Sequence, residues 1–225
     1  MRLKLKLLKL LIVTISTTSF SQNAMNTDWA NLKKYEKENQ SLTPSSKRVV
    51  FMGDSITEFW KSNDSTFFSA NEFINRGISG QTTPQMLLRF RQDVIDLKPS
   101  KVVILAGIND IAENTGPITI QQIMDNIISM TELAQTHKIK VILCSVLPAN
   151  AFYWNPKLQP AYKVIELNEM IETYAKKHNI AYVDYYASMV DDNKGLQKKY
   201  GEDGVHPNVA GYKKMEALLL PFLKD

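Results

Sequence analysis

The sequence has very little cysteine: Cys144 is the only one in 225 residues. A single thiol cannot form an intramolecular disulfide, so the fold does not depend on oxidation. Cys144 lies in the apolar run of residues 141–146, where a small buried core residue is expected far more often than a catalytic thiol. We therefore expect a structural role for it.

The sequence also lacks a hydrophobic run of the ~20 residues that a membrane span needs. The apolar run at residues 10–13 is far shorter, and small and hydroxyl residues follow it up to Ser21. It comes after a basic stretch that contains no acid but contains Arg2, Lys4, Lys6 and Lys9. This pattern is typical of a secretory signal peptide. We predict that residues 1–21 are this signal and that the protein is exported, to a periplasm or the medium. The alternative, an amphipathic first helix of the domain, lacks a polar face to balance the lysines.

Beyond this basic stretch, the sequence has no excess of charge of one sign. The formal net charge is +4, and the four cations before residue 10 account for all of it. No basic patch indicates binding to nucleic acid or to an anionic membrane surface. We therefore expect neither nucleic acid as a partner nor stable membrane insertion once the signal is removed.

The rest of the chain alternates between short apolar runs and amphipathic stretches. We predict a helix over residues 28–40 within an N-terminal helix and linker (residues 22–47), followed by one domain over residues 48–225. The predicted strands are residues 48–52, 72–75, 101–106, 140–147 and 180–185, and the predicted helices begin near residues 83, 120, 160 and 209. Because several strands are almost wholly apolar, we expect an α/β fold with a five-stranded parallel sheet covered on both faces. Its ligand site should lie at the carboxyl ends of the strands.

The segment Gly53-Asp54-Ser55 directly follows the first predicted strand. A serine at that position, leading into a helix, exposes its hydroxyl at the rim of the cleft and can direct its backbone N–H toward an anion. Gly53 would permit a turn that a Cβ would obstruct. A helix N-cap is the alternative role for Asp54 or Ser55, and this triplet alone is weak evidence.

The segment from Asp203 to His206 precedes the last predicted helix. A serine hydroxyl needs a base to take its proton, and imidazole suits that role near neutral pH. The imidazole in turn needs a carboxylate at its other nitrogen, and Asp203 is near enough in a turn to reach His206. The other histidines, His137 and His178, lie at predicted helix ends, where a cation suits the helix dipole. Asp203 could instead cap the helix from a solvated loop.

Two further loops could stabilise the oxyanion of an acyl-transfer reaction. Asn109 follows the third predicted strand and offers a side-chain amide. Gly80 follows the second and can bring its backbone N–H close, because it has no side chain. With the N–H of Ser55 they would supply three donors. Each loop alone is more often a plain turn, so the prediction rests on their joint occurrence.

These four segments resemble the four sequence blocks of the SGNH/GDSL hydrolase family, in order and spacing, over nearly the whole chain after residue 21. The resemblance implies a three-layer α/β/α fold of flavodoxin-like strand order and neither metal nor cofactor. It also implies a Ser–His–Asp triad of Ser55, His206 and Asp203, with Gly80 and Asn109 in the oxyanion hole. Two positions depart from the frequent pattern: Ile56 stands where the family name has leucine, and Gln81 where aspartate is common. Residues 75–83 are similar to acetylhydrolases that act on platelet-activating factor.

The substrate is predicted less sharply than the chemistry. We expect a small ester with a short acyl group, acetyl above all, on a carbohydrate or another exported molecule. Asp54, Tyr153 and Trp154 are predicted substrate contacts, although the aromatic residues at 152–154 could instead pack against Trp60 or the core. A lysophospholipase or thioesterase, an acyltransferase and a non-catalytic carbohydrate-binding relative are the alternatives.

Overall fold

Five parallel strands form the centre of the structure, a computed structural model that describes residues 28–43, 45 and 47–224. They are β1 (Val49–Gly53), β2 (Phe73–Gly77), β3 (Lys101–Leu105), β4 (Lys140–Cys144) and β5 (Ala181–Val183). The strand order is β2-β1-β3-β4-β5. The predicted five-stranded parallel sheet of flavodoxin-like order is therefore confirmed. The predicted signal peptide, residues 1–21, lies outside the described residues.

The order of the strands determines where loops can converge. The chain leaves β1 on one side to reach β2, and β3 then pairs with the other side of β1. All residues of β1 and β3 are buried, which explains their almost wholly apolar sequences. At the carboxyl ends of these two strands the connections diverge, and this leaves a crevice of the kind in which α/β proteins bind ligands.

Helices flank the sheet on both faces. They are α1 (Glu36–Ser41), α2 (Ser55–Asn63), α3 (Ser65–Ser69), α4 (Thr83–Asp93), α5 (Ile108–Ile111), α6 (Ile120–Thr136), α7 (Ala161–Lys177), α8 (Tyr185–Met189) and α9 (Val209–Leu223). One group contains α4, α6 and α7, and the other contains α2, α3, α8 and α9. Among the described residues, none of these helices has both the length and the apolar character to cross a membrane.

Two of the predicted helix starts have clear local causes. At α4, Thr82 and Gln85 form a capping box and Pro84 occupies the first turn, where a missing N–H costs nothing. At α6, Thr119 and Gln122 form a second capping box. Each pair satisfies backbone N–H groups that have no partner within the helix.

The predicted helix over residues 28–40 is wrong in its first half. Only α1 is helical, and turns occupy residues 29–30 and 32–35. The side chain of Asp28 accepts hydrogen bonds from the N–H groups of Leu32 and Lys33, and Asn31 has a φ of 54°. This local alternative to helical hydrogen bonding, together with a left-handed residue, interrupts the helix.

The segment before β1 contacts the loop that follows β2. The Ala30 carbonyl accepts a 2.7 Å hydrogen bond from Nε2 of Gln81, and the Tyr35 hydroxyl donates to the carbonyl of Gly77. The Arg76 guanidinium lies 4.5 Å from the centre of the Tyr35 ring. These contacts attach residues 28–41 to the edge of the sheet that carries the Gly80 loop.

Candidate active site

A cleft of about 440 Å³ lies at the carboxyl ends of β1, β2 and β3. Its lining residues come from five separate loops or helix starts and are Ser55, Phe59, Ser79, Gly80, Asn109, Asn114, Tyr153, Trp154, Asp203 and His206. Of the eight residues predicted for the site, seven line this cleft. The exception is Asp54.

Ser55 is the first residue of α2, directly after β1. Asp54 is the N-cap and accepts a 2.9 Å hydrogen bond from the N–H of Ile56. A Cβ on Gly53 would lie 2.1 Å from Oγ1 of Thr57, so the turn between β1 and α2 has no room for a larger residue. This close turn holds the Ser55 hydroxyl at the positive end of the helix.

His206 lies against Ser55 in the turn before α9. Its Nε2 is 2.9 Å from the Ser55 hydroxyl oxygen, and its Nδ1 is 2.7 Å from Oδ2 of Asp203. A hydroxyl hydrogen-bonded to an imidazole, with a carboxylate at the other ring nitrogen, is the arrangement that lets serine lose its proton as it attacks.

The Asp203 carboxylate is fixed by its own turn. Its Oδ1 accepts hydrogen bonds from the N–H groups of Val205, at 2.9 Å, and His206, at 2.7 Å. Partial burial would raise the pKa of Asp203, but the hydrogen bonds from the His206 backbone and ring and from Val205 outweigh it and lower that pKa. The carboxylate therefore stays charged near neutral pH and can stabilise a protonated imidazole. Gly204, with a φ of +80°, supplies the left-handed residue of the turn.

The two loops predicted to stabilise an oxyanion also reach the cleft. Gly80 has a φ of +76°, in the region that favours glycine, and within the described part of the chain its N–H donates to no protein acceptor. Asn109 is the second residue of α5, and its Nδ2 donates to the carbonyl of Gln81 at 3.1 Å. An amide nitrogen carries two protons, so one remains for a ligand.

Asp54 is placed differently from its predicted role as a substrate contact. Its side chain is only 1% exposed and does not line the cleft. Burial, with a smaller contribution from the Asp110 carboxylate, raises the pKa of Asp54 to about 7, although the hydrogen bond from Ile56 acts to lower it. Among the described residues its Oδ2 has no hydrogen-bond partner. Its contacts are those of a helix cap beneath Ser55.

The aromatic segment at residues 152–154 divides between core and cleft. Phe152 is fully buried and stacks on Trp154, with ring centres 5.0 Å apart. Tyr153 and Trp154 are 68% and 40% exposed and line the cleft. Trp60 does not contact them; it is buried against Phe67 and Tyr212. Phe152 therefore packs in the core, whereas for Tyr153 and Trp154 at the cleft the role of substrate contact stays a prediction.

The remaining nucleophile and base candidates lie elsewhere. Cys144 is buried, and burial raises the pKa of its thiol to about 12, as expected for a core residue. His137 and His178 are the C-caps of α6 and α7. Over residues 28–43, 45 and 47–224 there is no group of three His, Cys, Asp or Glu residues able to hold a metal ion.

Three cleft residues were not predicted from the sequence. Phe59 is one helical turn beyond Ser55 on α2, and its ring centre lies 5.5 Å from that of His206. Ser79 directly precedes Gly80. Asn114 lies just after α5 and bonds to Asn109. The spacing of four residues along a helix could have identified Phe59, whereas Asn114 depends on the geometry of a helix end.

Comparison with known proteins relates this site to one enzyme family. The model of the GDSL-like Lipase/Acylhydrolase family matches residues 51–214. A GDSL-like lipase from Bacteroides thetaiotaomicron has a solved structure that is similar with a TM-score of 0.85 and 51% identity, over 86% of this chain and 97% of that chain.

Two curated relatives are similar over part of their length. The uncharacterized lipoprotein YqeF of Bacillus subtilis is 30% identical over 132 residues, 57% of this chain and 45% of its own. An acetylxylan esterase of Xylanibacter ruminicola is 26% identical over 174 residues, 69% of this chain and 34% of its own. The chain thus spans less than half the length of either relative.

Proposed function

Because the chain belongs to the GDSL-like lipase/acylhydrolase family of carboxylic ester hydrolases, we propose that it hydrolyses small esters with Ser55, His206 and Asp203 as its catalytic triad. The observation that carries the proposal is the continuous hydrogen-bonded chain from the Ser55 hydroxyl through both nitrogens of His206 to Asp203. Each residue meets a different requirement of acyl transfer: Ser55 is the nucleophile, His206 is the base, and Asp203 is the carboxylate that stabilises the protonated base.

The proposed reaction has two steps. The Ser55 oxygen attacks the ester carbonyl while Nε2 of His206 takes the hydroxyl proton, and a tetrahedral intermediate forms. When it collapses, the bond to the alcohol oxygen breaks and His206 gives that oxygen the proton. Water then attacks the acyl-enzyme, His206 takes a proton from it and returns one to Ser55, and the carboxylic acid leaves.

The negative charge of both intermediates falls on the former carbonyl oxygen. We assign its stabilisation to the backbone N–H groups of Ser55 and Gly80 and to Nδ2 of Asn109. Such donors are effective when they are fixed before the reaction begins. The left-handed conformation of Gly80 and the buried position of Asn109 support this assignment.

We further propose an acylated carbohydrate as substrate, with acetyl as the preferred acyl group. Tyr153 and Trp154 expose aromatic faces at the cleft, and such faces bind the apolar face of a sugar ring through its C–H groups. Another wall offers the polar side chain of Ser79. The similarity to an acetylxylan esterase supports the same substrate class.

Acyl-chain profiling tests this substrate proposal. We expect protein lacking residues 1–21 to hydrolyse p-nitrophenyl acetate faster than the butyrate and much faster than the octanoate, and to release acetate from acetylated xylo-oligosaccharides. A rate that increases with acyl length would contradict the short-acyl preference and favour a lysophospholipase or thioesterase. Turnover of the acetate ester without release from oligosaccharides would contradict the carbohydrate proposal alone.

Export remains a proposal that rests on the basic and apolar pattern of residues 1–21. A lipoprotein among the relatives is consistent with it. N-terminal sequencing of the mature protein, recovered from separated cell fractions and medium, tests it. We expect a new terminus near Gln22 in the periplasmic or extracellular fraction; an intact Met1 on cytoplasmic protein would contradict it.

A further inference from the structure

The side chain of Asn114 connects the two loops to which we assign the oxyanion donors. Its Nδ2 donates to Oδ1 of Asn109 at 2.9 Å and to the carbonyl oxygen of Gly80 at 3.1 Å. We call this pair of hydrogen bonds the Asn114 bridge. It joins the loop after β2 to the loop after β3 at the wall of the cleft.

The backbone places Asn114 there through the way α5 ends. The N–H of Glu113 donates to the carbonyl of Asp110, and the N–H of Asn114 donates to the carbonyl of Asn109. With Glu113 at a φ of 60°, this is a Schellman motif, which turns the chain back over the start of the short helix. Asn114 therefore contacts Asn109 through both its backbone and its side chain.

The Asn114 bridge determines which way the Asn109 amide points. Oδ1 of Asn109 accepts from Asn114, and Nδ2 of Asn109 donates to the Gln81 carbonyl. If the amide were rotated by half a turn, two NH₂ groups would face each other at Asn114 and two oxygens would face each other at Gln81. Both contacts would be repulsive, so the remaining N–H of Asn109 is held toward the cleft.

We propose that Asn114 is a positioning residue for ester hydrolysis: it keeps the Asn109 amide oriented for the oxyanion, and its bond to the Gly80 carbonyl holds the loop that carries the Gly80 N–H beside that amide. Both N–H groups of its side chain are used in the bridge, so neither is left to bind substrate. The benefit is largest in the tetrahedral intermediate, when charge develops on the oxygen that these donors meet. The inference rests on the proposed serine esterase function.

A double-mutant cycle tests whether Asn114 acts through Asn109. We expect Asn114→Ala to lower kcat for p-nitrophenyl acetate by roughly tenfold, the size of one or two lost hydrogen bonds, with little change in KM. Asn109→Ala should lower kcat by roughly 10²–10³, as loss of one oxyanion donor does. In the Asn109→Ala background, Asn114→Ala should cost less than about threefold, because its target is gone.

The control variant is Asn71→Ala. Asn71 also lies just beyond a short helix and bonds to a backbone carbonyl, that of Phe67, but is outside the cleft. We expect its kcat and KM to match those of the unchanged protein. Asn114→Asp keeps the side-chain volume but replaces the donor with an oxygen that repels Oδ1 of Asn109. It should lower kcat at least as much as Asn114→Ala does, with the same thermal midpoint within a few degrees.

Three outcomes would overturn the proposal. The first is an equal loss of kcat from Asn114→Ala in both backgrounds, and the second is full kcat in folded Asn114→Asp. The third is a change confined to KM, which would make Asn114 a substrate contact. Each of these can arise in an enzyme that depends on Ser55, and the serine esterase assignment would then stand. Activity that survives Ser55→Ala would instead overturn both proposals.

Discussion

The Ser55 hydroxyl oxygen lies 2.9 Å from Nε2 of His206, although 151 positions separate the two residues in the chain. Ser55 begins the helix after β1, and His206 lies in the turn before α9. The order of the sheet makes this contact possible, because α2 and α9 pack against each other on one face. The segments that carry Ser55 and His206 are therefore brought together only when the whole domain is folded.

Replacement of Asp203 by asparagine tests the part of this carboxylate in the proposed triad. Asparagine keeps the size of the side chain but loses the charge that stabilises a protonated His206. We expect kcat to fall by roughly 10³–10⁴ with a smaller change in KM. The neighbouring Glu202 is exposed and serves as the control: Glu202→Gln should leave kcat within about twofold. Equal effects of the two substitutions would contradict the assignment of Asp203.

The buried carboxyl of Asp54 predicts a specific dependence of stability on pH. Burial raises its pKa to about 7 in the folded protein, against 3.8 as the ordinary value. The folded state therefore holds this proton more tightly than the unfolded state, and stability contributed by the neutral group is lost as pH rises from about 4 to 7. Asparagine can still cap α2 but does not titrate.

Thermal unfolding of Asp54→Asn and of the unchanged protein at pH 4.5 and pH 8 measures this effect. We expect the variant's melting temperature, relative to the unchanged protein, to be higher at pH 8 than at pH 4.5. The comparison of the two proteins at each pH removes most contributions of the other carboxylates. If the difference in melting temperature between the two proteins is the same at both pH values, or changes in the opposite direction, Asp54 is charged in the folded state at both.

The aromatic face at the cleft can be tested with Trp154→Ala. If Trp154 stacks on a sugar ring, its loss should raise KM for acetylated xylo-oligosaccharides by roughly five- to tenfold, since a stacking contact contributes about 1 kcal/mol. KM for p-nitrophenyl acetate, which has no sugar, should change less than twofold. Tyr162 is an exposed tyrosine outside the cleft, and Tyr162→Ala should change neither value. An unchanged KM for the oligosaccharide in Trp154→Ala would refute the stacking role.

We expect that breaking a buried ion pair beneath the cleft strongly lowers the free energy of unfolding. Arg89 is fully buried, pairs with Asp93 at 3.0 Å and also donates to the carbonyl oxygens of Gly53 and Arg76. Arg89→Met would leave Asp93 without its counter-charge, so we expect a loss of about 3–5 kcal/mol in the free energy of unfolding. Arg91→Met, on the exposed side of α4, should cost less than about 0.5 kcal/mol. Urea unfolding of both variants gives the comparison.

The sheet could be predicted because its strands are marked twice, by continuous apolar runs and by the loops between them. All five predicted strands are present, with ends that differ by up to three residues. The predicted helix over residues 28–40 is wrong in its first half because an aspartate turn and the left-handed Asn31 interrupt it. The spacing of apolar residues detects neither feature. The conformation of residues 28–35 is determined by the side-chain hydrogen bonds of Asp28 and by the positive φ of Asn31.

The cleft residues could be predicted where chemistry restricts the residue type. A serine and an asparagine in loops at strand ends, and a histidine and an aspartate in the turn before the last helix, are few enough to be found in sequence. Asp54 was predicted to contact the substrate, yet adjacent residues at a helix start point in different directions, and its side chain is buried. Asn114 was missed because its position depends on the reversed end of α5 rather than on a residue pattern.

The most direct test of the account is covalent labelling of the nucleophile. Protein lacking residues 1–21 is treated with diethyl p-nitrophenyl phosphate, which phosphorylates activated serines, and the labelled peptide is sequenced by mass spectrometry beside Ser55→Ala. We predict one diethylphosphoryl group on Ser55, loss of ester hydrolysis in step with labelling, and neither labelling nor hydrolysis in Ser55→Ala. A label on another residue, or hydrolysis of p-nitrophenyl acetate that persists in Ser55→Ala, would contradict the account.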